Sequence, residues 1–124
     1  HVNPVVPDTV AKSIAIGNPA DGYDALKIAR GSGGGACAVT DEEIIEGMKL
    51  LAQTEGIFAE ATGGAVIGSL KKLAASGLIK RNELTVAFIT GAGPRTQETV
   101  SDIVQSRTIQ PTLESFREVF GELV

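Results

Sequence analysis

A short apolar stretch that ends in a glycine turn, at residues 85–93, constrains the fold of this chain more than any other segment. Its sequence is Thr-Val-Ala-Phe-Ile-Thr-Gly-Ala-Gly, and such β-branched and aromatic residues favour a strand. A continuous apolar strand is typical of a parallel sheet that is covered on both faces. Open α/β sheets bind their ligands at the carboxyl ends of these strands. We therefore predict that Thr90 and the glycines after it lie at a ligand site.

Helical and strand-like segments alternate along the chain. The predicted helices span residues 20–30, 41–54, 62–76 and 112–122, and the predicted strands span residues 36–39, 57–59 and 84–89. This order predicts an α/β fold in which helices flank a partial parallel sheet. We further predict a main unit at residues 1–96 and an extension at residues 97–124, which is polar at first and ends in the amphipathic helix.

The clearest local signal is Thr-Asp-Glu-Glu at residues 40–43. The Thr40 hydroxyl can accept from the amide of Glu43, and the Glu43 carboxylate can accept from the amide of Thr40, which together form a capping box. Acidic residues in a first helical turn also interact favourably with the helix dipole. Because capping explains these carboxylates, we predict neither a metal site nor an acid–base pair here.

Glycines in two places invite a functional interpretation. The run at residues 31–35 follows a helix and precedes a strand, which is the wrong order for a phosphate loop, so we interpret it as a helix stop and turn. Gly63 and Gly64 stand in the first turn of a predicted helix, where glycine costs about 1 kcal/mol relative to alanine. That cost indicates that a ligand or another helix approaches the backbone closely.

Side chains on two elements are predicted to be buried. On the third helix, the apolar stripe comprises Val66, Leu70, Leu73 and Ala74. Cys37 lies in a predicted strand and is interpreted as a small buried hydrophobe rather than a nucleophile.

Composition narrows the class of protein. A net charge of −4 and a pI near 4.9 argue against nucleic acid and against an anionic membrane surface, since both require a basic face. A single cysteine excludes an internal disulfide and favours a reducing compartment. No stretch reaches the ~20 apolar residues of a membrane span, and no leader is evident. We expect a cytoplasmic protein.

Four segments resemble the threonine synthase family and occur in the same order. They are Ile-Gly-Asn-Pro at residues 16–19, Val-Thr-Asp-Glu-Glu-Ile at 39–44, Glu-Gly-Ile-Phe-Ala-Glu at 55–60 and Phe-Ile-Thr-Gly-Ala-Gly at 88–93. That family belongs to the tryptophan-synthase-β-like, fold type II pyridoxal-phosphate enzymes. The resemblance covers residues 9–95 and implies the carboxyl-terminal part of the large domain of such an enzyme.

The resemblance implies an activity: conversion of O-phospho-L-homoserine and water to L-threonine and phosphate with pyridoxal 5'-phosphate. No lysine of this chain has the Ser-Phe-Lys-Asp context of the family's Schiff-base lysine, so we expect a fragment that is inactive alone and holds no catalytic residue. The implied partners are the missing amino-terminal portion and, in a homo-oligomer, further copies. A threonine-dehydratase-like lyase and a non-enzymatic α/β binding module remain open alternatives.

The resemblance also implies cofactor-binding residues. They are Gly17, Asn18, Glu60, Thr62, Thr90 and Gly91. The Thr90 hydroxyl is implied to bond the pyridine nitrogen, and Gly91 to let the ring pass close to the backbone. The chain departs from the family's usual motifs at two places. Residues 93–95 are Gly-Pro-Arg instead of Gly-Leu-Lys, and residues 60–65 lack the family's proline after the glutamate. These differences leave the exact substrate open.

Overall fold

The computed structural model describes residues 2–102 and 107–121. Its α-helices are α1 (Gly22–Gly31), α2 (Asp41–Glu55), α3 (Ala61–Ala75) and α4 (Leu113–Phe120), and 3-10 turns span Lys12–Ile14 and Gly93–Val100. The four predicted helices are therefore confirmed, with ends that agree within two residues wherever the structure describes them. Residue 122, the predicted end of the last helix, lies outside the described residues. Within these ranges, no helix combines the length and apolar character needed to cross a membrane.

The predicted parallel sheet does not form among the described residues. Residues 36–39 and 84–89 belong to no strand, and residues 57–59 contribute only one antiparallel bridge, between Ala59 and Ala92. The physical reason is that a parallel strand needs a neighbouring strand for its amides and carbonyls. Among the described residues these three segments do not pair with one another, so none of them has that neighbour.

Burial of the central apolar segment was also predicted, and this is wrong for the described chain. Leu84 is 95% exposed and Phe88 is 76% exposed. Cys37 is only half-buried, so it is not the fully buried residue that we predicted. Without a sheet these side chains have no second layer to pack against, which is why apolar sequence alone did not bury them.

The core lies where α2 and α3 pack against each other. Its buried residues are Ala11, Ile44, Met48, Ala61 and Val100. The two helices approach so closely that a Cβ atom on Gly47 would overlap the carbonyl oxygen of Gly64, and one on Gly68 would lie 3.0 Å from the carbonyl oxygen of Glu43. Of the two alternatives for the glycine-rich start of α3, the structure therefore shows a neighbouring helix at Gly64.

The buried face of α3 differs from the predicted stripe. The buried residues are Ala61, Gly63, Gly64 and Gly68, whereas Val66, Leu70 and Leu73 are half-buried and Ala74 is exposed. Small residues form the contact with α2 because they permit close approach of the two helix backbones. The larger apolar side chains Val66, Leu70 and Leu73 instead line a groove that Ile44 of α2 also lines.

The capping box at the start of α2 is confirmed. Glu43 N–H donates to the Thr40 hydroxyl over 3.3 Å, and Thr40 N–H donates to Glu43 Oε2 over 2.8 Å. Lys72 of α3 donates to the same carboxylate oxygen over 2.7 Å. Gly56 ends α2 with φ of +67°, in the left-handed conformation that favours glycine.

We expect the Glu43 carboxylate to make the stability of the chain depend on pH. The hydrogen bond from Lys72, and next that from the Thr40 amide, lower the pKa of Glu43 below its ordinary value of 4.5. A depressed pKa stabilises the fold above that ordinary value, and the stabilisation is lost as pH falls through the lowered pKa. The wild type should therefore melt above Glu43→Gln at pH 7, and thermal melts down to pH 2 should show that difference vanishing. A difference that is independent of pH would contradict this role of the charge.

The carboxyl-terminal helix α4 is amphipathic and short. The Thr112 hydroxyl accepts from the amide of Ser115 and caps it, and the rings of Phe116 and Phe120 stack with centroids 4.9 Å apart. The division of the chain at residue 96 stays a prediction.

Candidate functional site

The first turn of α3 lies beside the glycine turn that follows Thr90. Glu60 N–H donates to the carbonyl of Gly91 over 3.0 Å, and Gly93 N–H donates to the carbonyl of Phe58 over 2.9 Å. These two bonds form the bridge between Ala59 and Ala92. They fix the loop that carries Thr90 to the start of a helix.

Glu60 is the buried acid of this site, with only 3% of its surface exposed. The Ser13 hydroxyl donates to Glu60 Oε2 over 3.0 Å, and Arg95 Nε lies 4.0 Å from the same oxygen. A Cβ atom on Gly91 would overlap the Glu60 carboxylate, so position 91 accepts only glycine while Glu60 keeps this rotamer. One carboxylate thus joins three segments that are distant in sequence.

Thr96 caps α3 from a distance. Its hydroxyl accepts from the buried amide of Ala61 over 2.9 Å, across 35 residues of sequence. Glu60, which occupies the N-cap position, makes no side-chain cap of its own. Sequence reasoning missed Thr96 because capping patterns report only residues within one turn of the helix start.

The Thr62 hydroxyl is buried without a hydrogen-bond partner among the described residues. Leaving such a group unsatisfied costs about 1–3 kcal/mol. The side chain lines an apolar groove that runs along α3, and it lies at the end of the groove formed by the first helical turn. Among the described residues, the Thr62 hydroxyl is therefore available to bond a group that enters this end of the groove.

The structure brings some of the predicted site residues together and leaves others apart. Glu60 and Gly91 are in contact, Thr62 lies on the same helical turn as Glu60, and Thr90 precedes Gly91 with an exposed side chain. Gly17 packs elsewhere, since its carbonyl accepts from the amide of Val5 over 3.0 Å.

Asn18 stands apart from this group. Its side chain is exposed, and within residues 2–102 and 107–121 it has no hydrogen bond to the residues around Glu60. Within the described part of the chain, the hydrogen bond from this segment to the Glu60 carboxylate comes from Ser13, five positions before Asn18. A role for Asn18 beside a cofactor phosphate stays a prediction.

Comparison with known proteins adds an independent finding. Residues 1–91 match the family described as pyridoxal-phosphate dependent enzyme. A threonine synthase of Methanocaldococcus jannaschii is 51% identical over 87 residues, which are 70% of this chain and 22% of that protein. One of Methanosarcina acetivorans is 41% identical over 118 residues, 94% of this chain and 29% of the relative. The chain thus spans less than a third of the length of these curated relatives.

Proposed function

The chain belongs to the pyridoxal-phosphate dependent enzyme family, and on that premise we propose that it is the carboxyl-terminal portion of a threonine synthase. The complete enzyme would convert O-phospho-L-homoserine and water to L-threonine and phosphate. Membership of the family implies pyridoxal phosphate as the cofactor. The observation that carries the proposal is the contact between Glu60 and Gly91, which joins two of the motifs that resemble the family.

The residues present fit such a cofactor. The unpartnered hydroxyl of Thr62 and the exposed side chain of Thr90 lie on two segments that the Glu60–Gly91 contact holds together. Hydroxyls suit a neutral pyridine nitrogen and ring substituents because they donate hydrogen bonds without adding charge. Pyridoxal phosphate, when bound, supplies the electron sink that this class of reaction needs. We propose that Thr90 donates to the ring nitrogen and that Thr62 binds near the ring.

Other residues of this chain would orient that site. Glu60 fixes Gly91, and through it Thr90, by a backbone hydrogen bond and by side-chain contact. Ser13 donates to one oxygen of the Glu60 carboxylate, which helps to hold that side chain against Gly91. We assign binding and orientation to this chain and no proton transfer at the substrate. The Schiff-base lysine would come from the amino-terminal portion.

The proposal extends to the state of the protein in the cell. The complete enzyme would be a cytoplasmic homo-oligomer whose ligand is a small phosphorylated amino acid. Light scattering of the complete protein measures the oligomer directly, and a monomer at all concentrations would contradict this part of the proposal.

Reconstitution tests the function. The probe is the part of the M. jannaschii relative that precedes its 87 aligned residues, mixed with this chain and pyridoxal phosphate. We expect a visible absorption band together with release of phosphate and threonine from O-phosphohomoserine, and no product from this chain alone. A band or product from this chain alone would show that one of its own lysines holds the cofactor.

Within that complex, Thr90→Val tests the hydroxyl. Losing one hydrogen bond of about 1 kcal/mol should raise the cofactor concentration at half-saturation about fivefold. Titration followed by the absorption band measures this, and Thr90→Ser, which keeps the hydroxyl, serves as the matched control. If the valine and serine variants bound the cofactor with equal affinity, the Thr90 hydroxyl would not contact the cofactor.

A further inference from the structure

Two consecutive residues of the 3-10 turn that follows the glycines contact two consecutive residues at the start of α3. The Thr96 hydroxyl accepts from the amide of Ala61, and Arg95 Nε lies 4.0 Å from Glu60 Oε2. Because Thr96 provides the cap, the Glu60 side chain does not cap the helix from its N-cap position. Its carboxylate is therefore available to contact the glycine turn.

The Glu60 carboxylate is a buried charge beside the proposed cofactor site. A Cβ atom on Gly91 would overlap this carboxylate, so it lies against the residue that follows Thr90. A charge that leaves water without a partner is unfavourable. The positive end of the α3 dipole offsets part of the negative charge, since Glu60 is the N-cap residue. The Ser13 hydroxyl donates a hydrogen bond to the carboxylate but brings no charge.

Arg95 provides a full positive charge at this point. Its guanidinium is always protonated in proteins. The Arg95 side chain is 70% exposed and so keeps most of its hydration, while the buried carboxylate gains a cation within ion-pair distance. Ion pairs with such an exposed partner contribute little to the stability of a fold. Arg95 therefore matters for the local charge beside Thr90 more than for folding.

We propose that Arg95 is a positioning residue that keeps the cofactor's ring nitrogen unprotonated by offsetting the charge of Glu60. This inference rests on the proposed function, which assigns the Thr90 hydroxyl to that nitrogen. A carboxylate that lacks its cation favours the protonated, positively charged form of a nearby ring nitrogen. With Arg95 in place, the nitrogen stays neutral and accepts the hydrogen bond from Thr90. Without Arg95, the nitrogen takes up a proton from water and can no longer accept that bond.

The test follows the ring nitrogen by NMR in the complex of this chain with the amino-terminal probe of the M. jannaschii relative. The cofactor is pyridoxal phosphate that carries the heavy nitrogen isotope in its ring, and the readout is the pH at which this nitrogen is half protonated. Arg95→Gln should raise the proton affinity of the nitrogen at least about tenfold. Arg95→Lys keeps a cation and should stay near the wild type. Arg81→Gln is the matched control, because Arg81 is another exposed arginine in a turn.

A double variant separates the effect of charge from damage to the loop. Glu60→Gln combined with Arg95→Gln removes both charges, so the half-protonation pH should return to the wild-type value. Equal values for Arg95→Gln and Arg81→Gln would overturn the inference, and so would a shift that the double variant does not reverse. A wild-type complex without the visible absorption band would instead reject the proposed function, and this inference with it.

Discussion

Replacing Gly64 with alanine is expected to destabilise the chain by about 3 kcal/mol. A Cβ atom at this position would overlap the carbonyl oxygen of Ile44 and lie 2.6 Å from Cγ of Met48. The Ile44 carbonyl belongs to the backbone of α2 and cannot rotate away, so α2 and α3 would have to separate. Both Ile44 and Met48 belong to the core, and their packing would be lost with the separation. Urea unfolding followed by circular dichroism measures the change.

Gly31→Ala is the matched control for this substitution. Gly31 ends α1, and a Cβ atom there would meet no atom within 4 Å. Because alanine is the better helix former, this variant should be neutral or more stable by up to about 1 kcal/mol. If Gly64→Ala remained within about 0.5 kcal/mol of the wild type, α2 and α3 would not pack through their glycines.

Local signals made the helices predictable. Thr40 and Glu43 lie within one turn of the start of α2, and Gly56 follows its end directly, so the residues that set these boundaries are neighbours in sequence. The poor helix propensity of Gly64 correctly indicated a close approach. Sequence could not say what approaches, because Gly47 and Ile44 on α2 are distant from it along the chain.

The sheet was not predictable from residues 84–89 alone. Their β-branched and aromatic side chains favour a strand, but a strand forms only where a neighbour pairs with it. Among the described residues, only the bridge at Ala59 and Ala92 provides such pairing. The apolar pattern therefore indicates the buried surroundings for which the segment is suited, and in this structure Val86 lines an apolar groove instead.

The candidate site was predicted in part. Glu60, Thr62, Thr90 and Gly91 came from resemblance to family motifs, and the structure brings Glu60 into contact with Gly91. Ser13 and Thr96 were missed, since each contacts the start of α3 across 35 or more residues. Such long-range hydrogen bonds leave no periodic or spacing signal in the sequence.

Removing the Thr96 hydroxyl is expected to cost about 2 kcal/mol, because Thr96→Val leaves the buried amide of Ala61 without an acceptor. Thr96 is itself only 3% exposed, so water cannot easily take the place of its hydroxyl. The loss should also loosen the start of α3, and hydrogen exchange at the Ala61 amide should accelerate accordingly. Urea unfolding measures the stability, and mass spectrometry or NMR measures the exchange.

Two variants distinguish the loss of the hydrogen bond between Thr96 and Ala61 from the general effect of removing a hydroxyl. Thr96→Ser keeps the acceptor and should retain most of the stability. Thr54→Val removes an exposed hydroxyl, which donates to the Leu50 carbonyl within α2, and should change stability by less than about 0.5 kcal/mol. If Thr96→Val were as mild as Thr54→Val, the 3-10 turn after the glycines would not support α3. The contact between Glu60 and Gly91 would then be the main connection between the two halves of the candidate site.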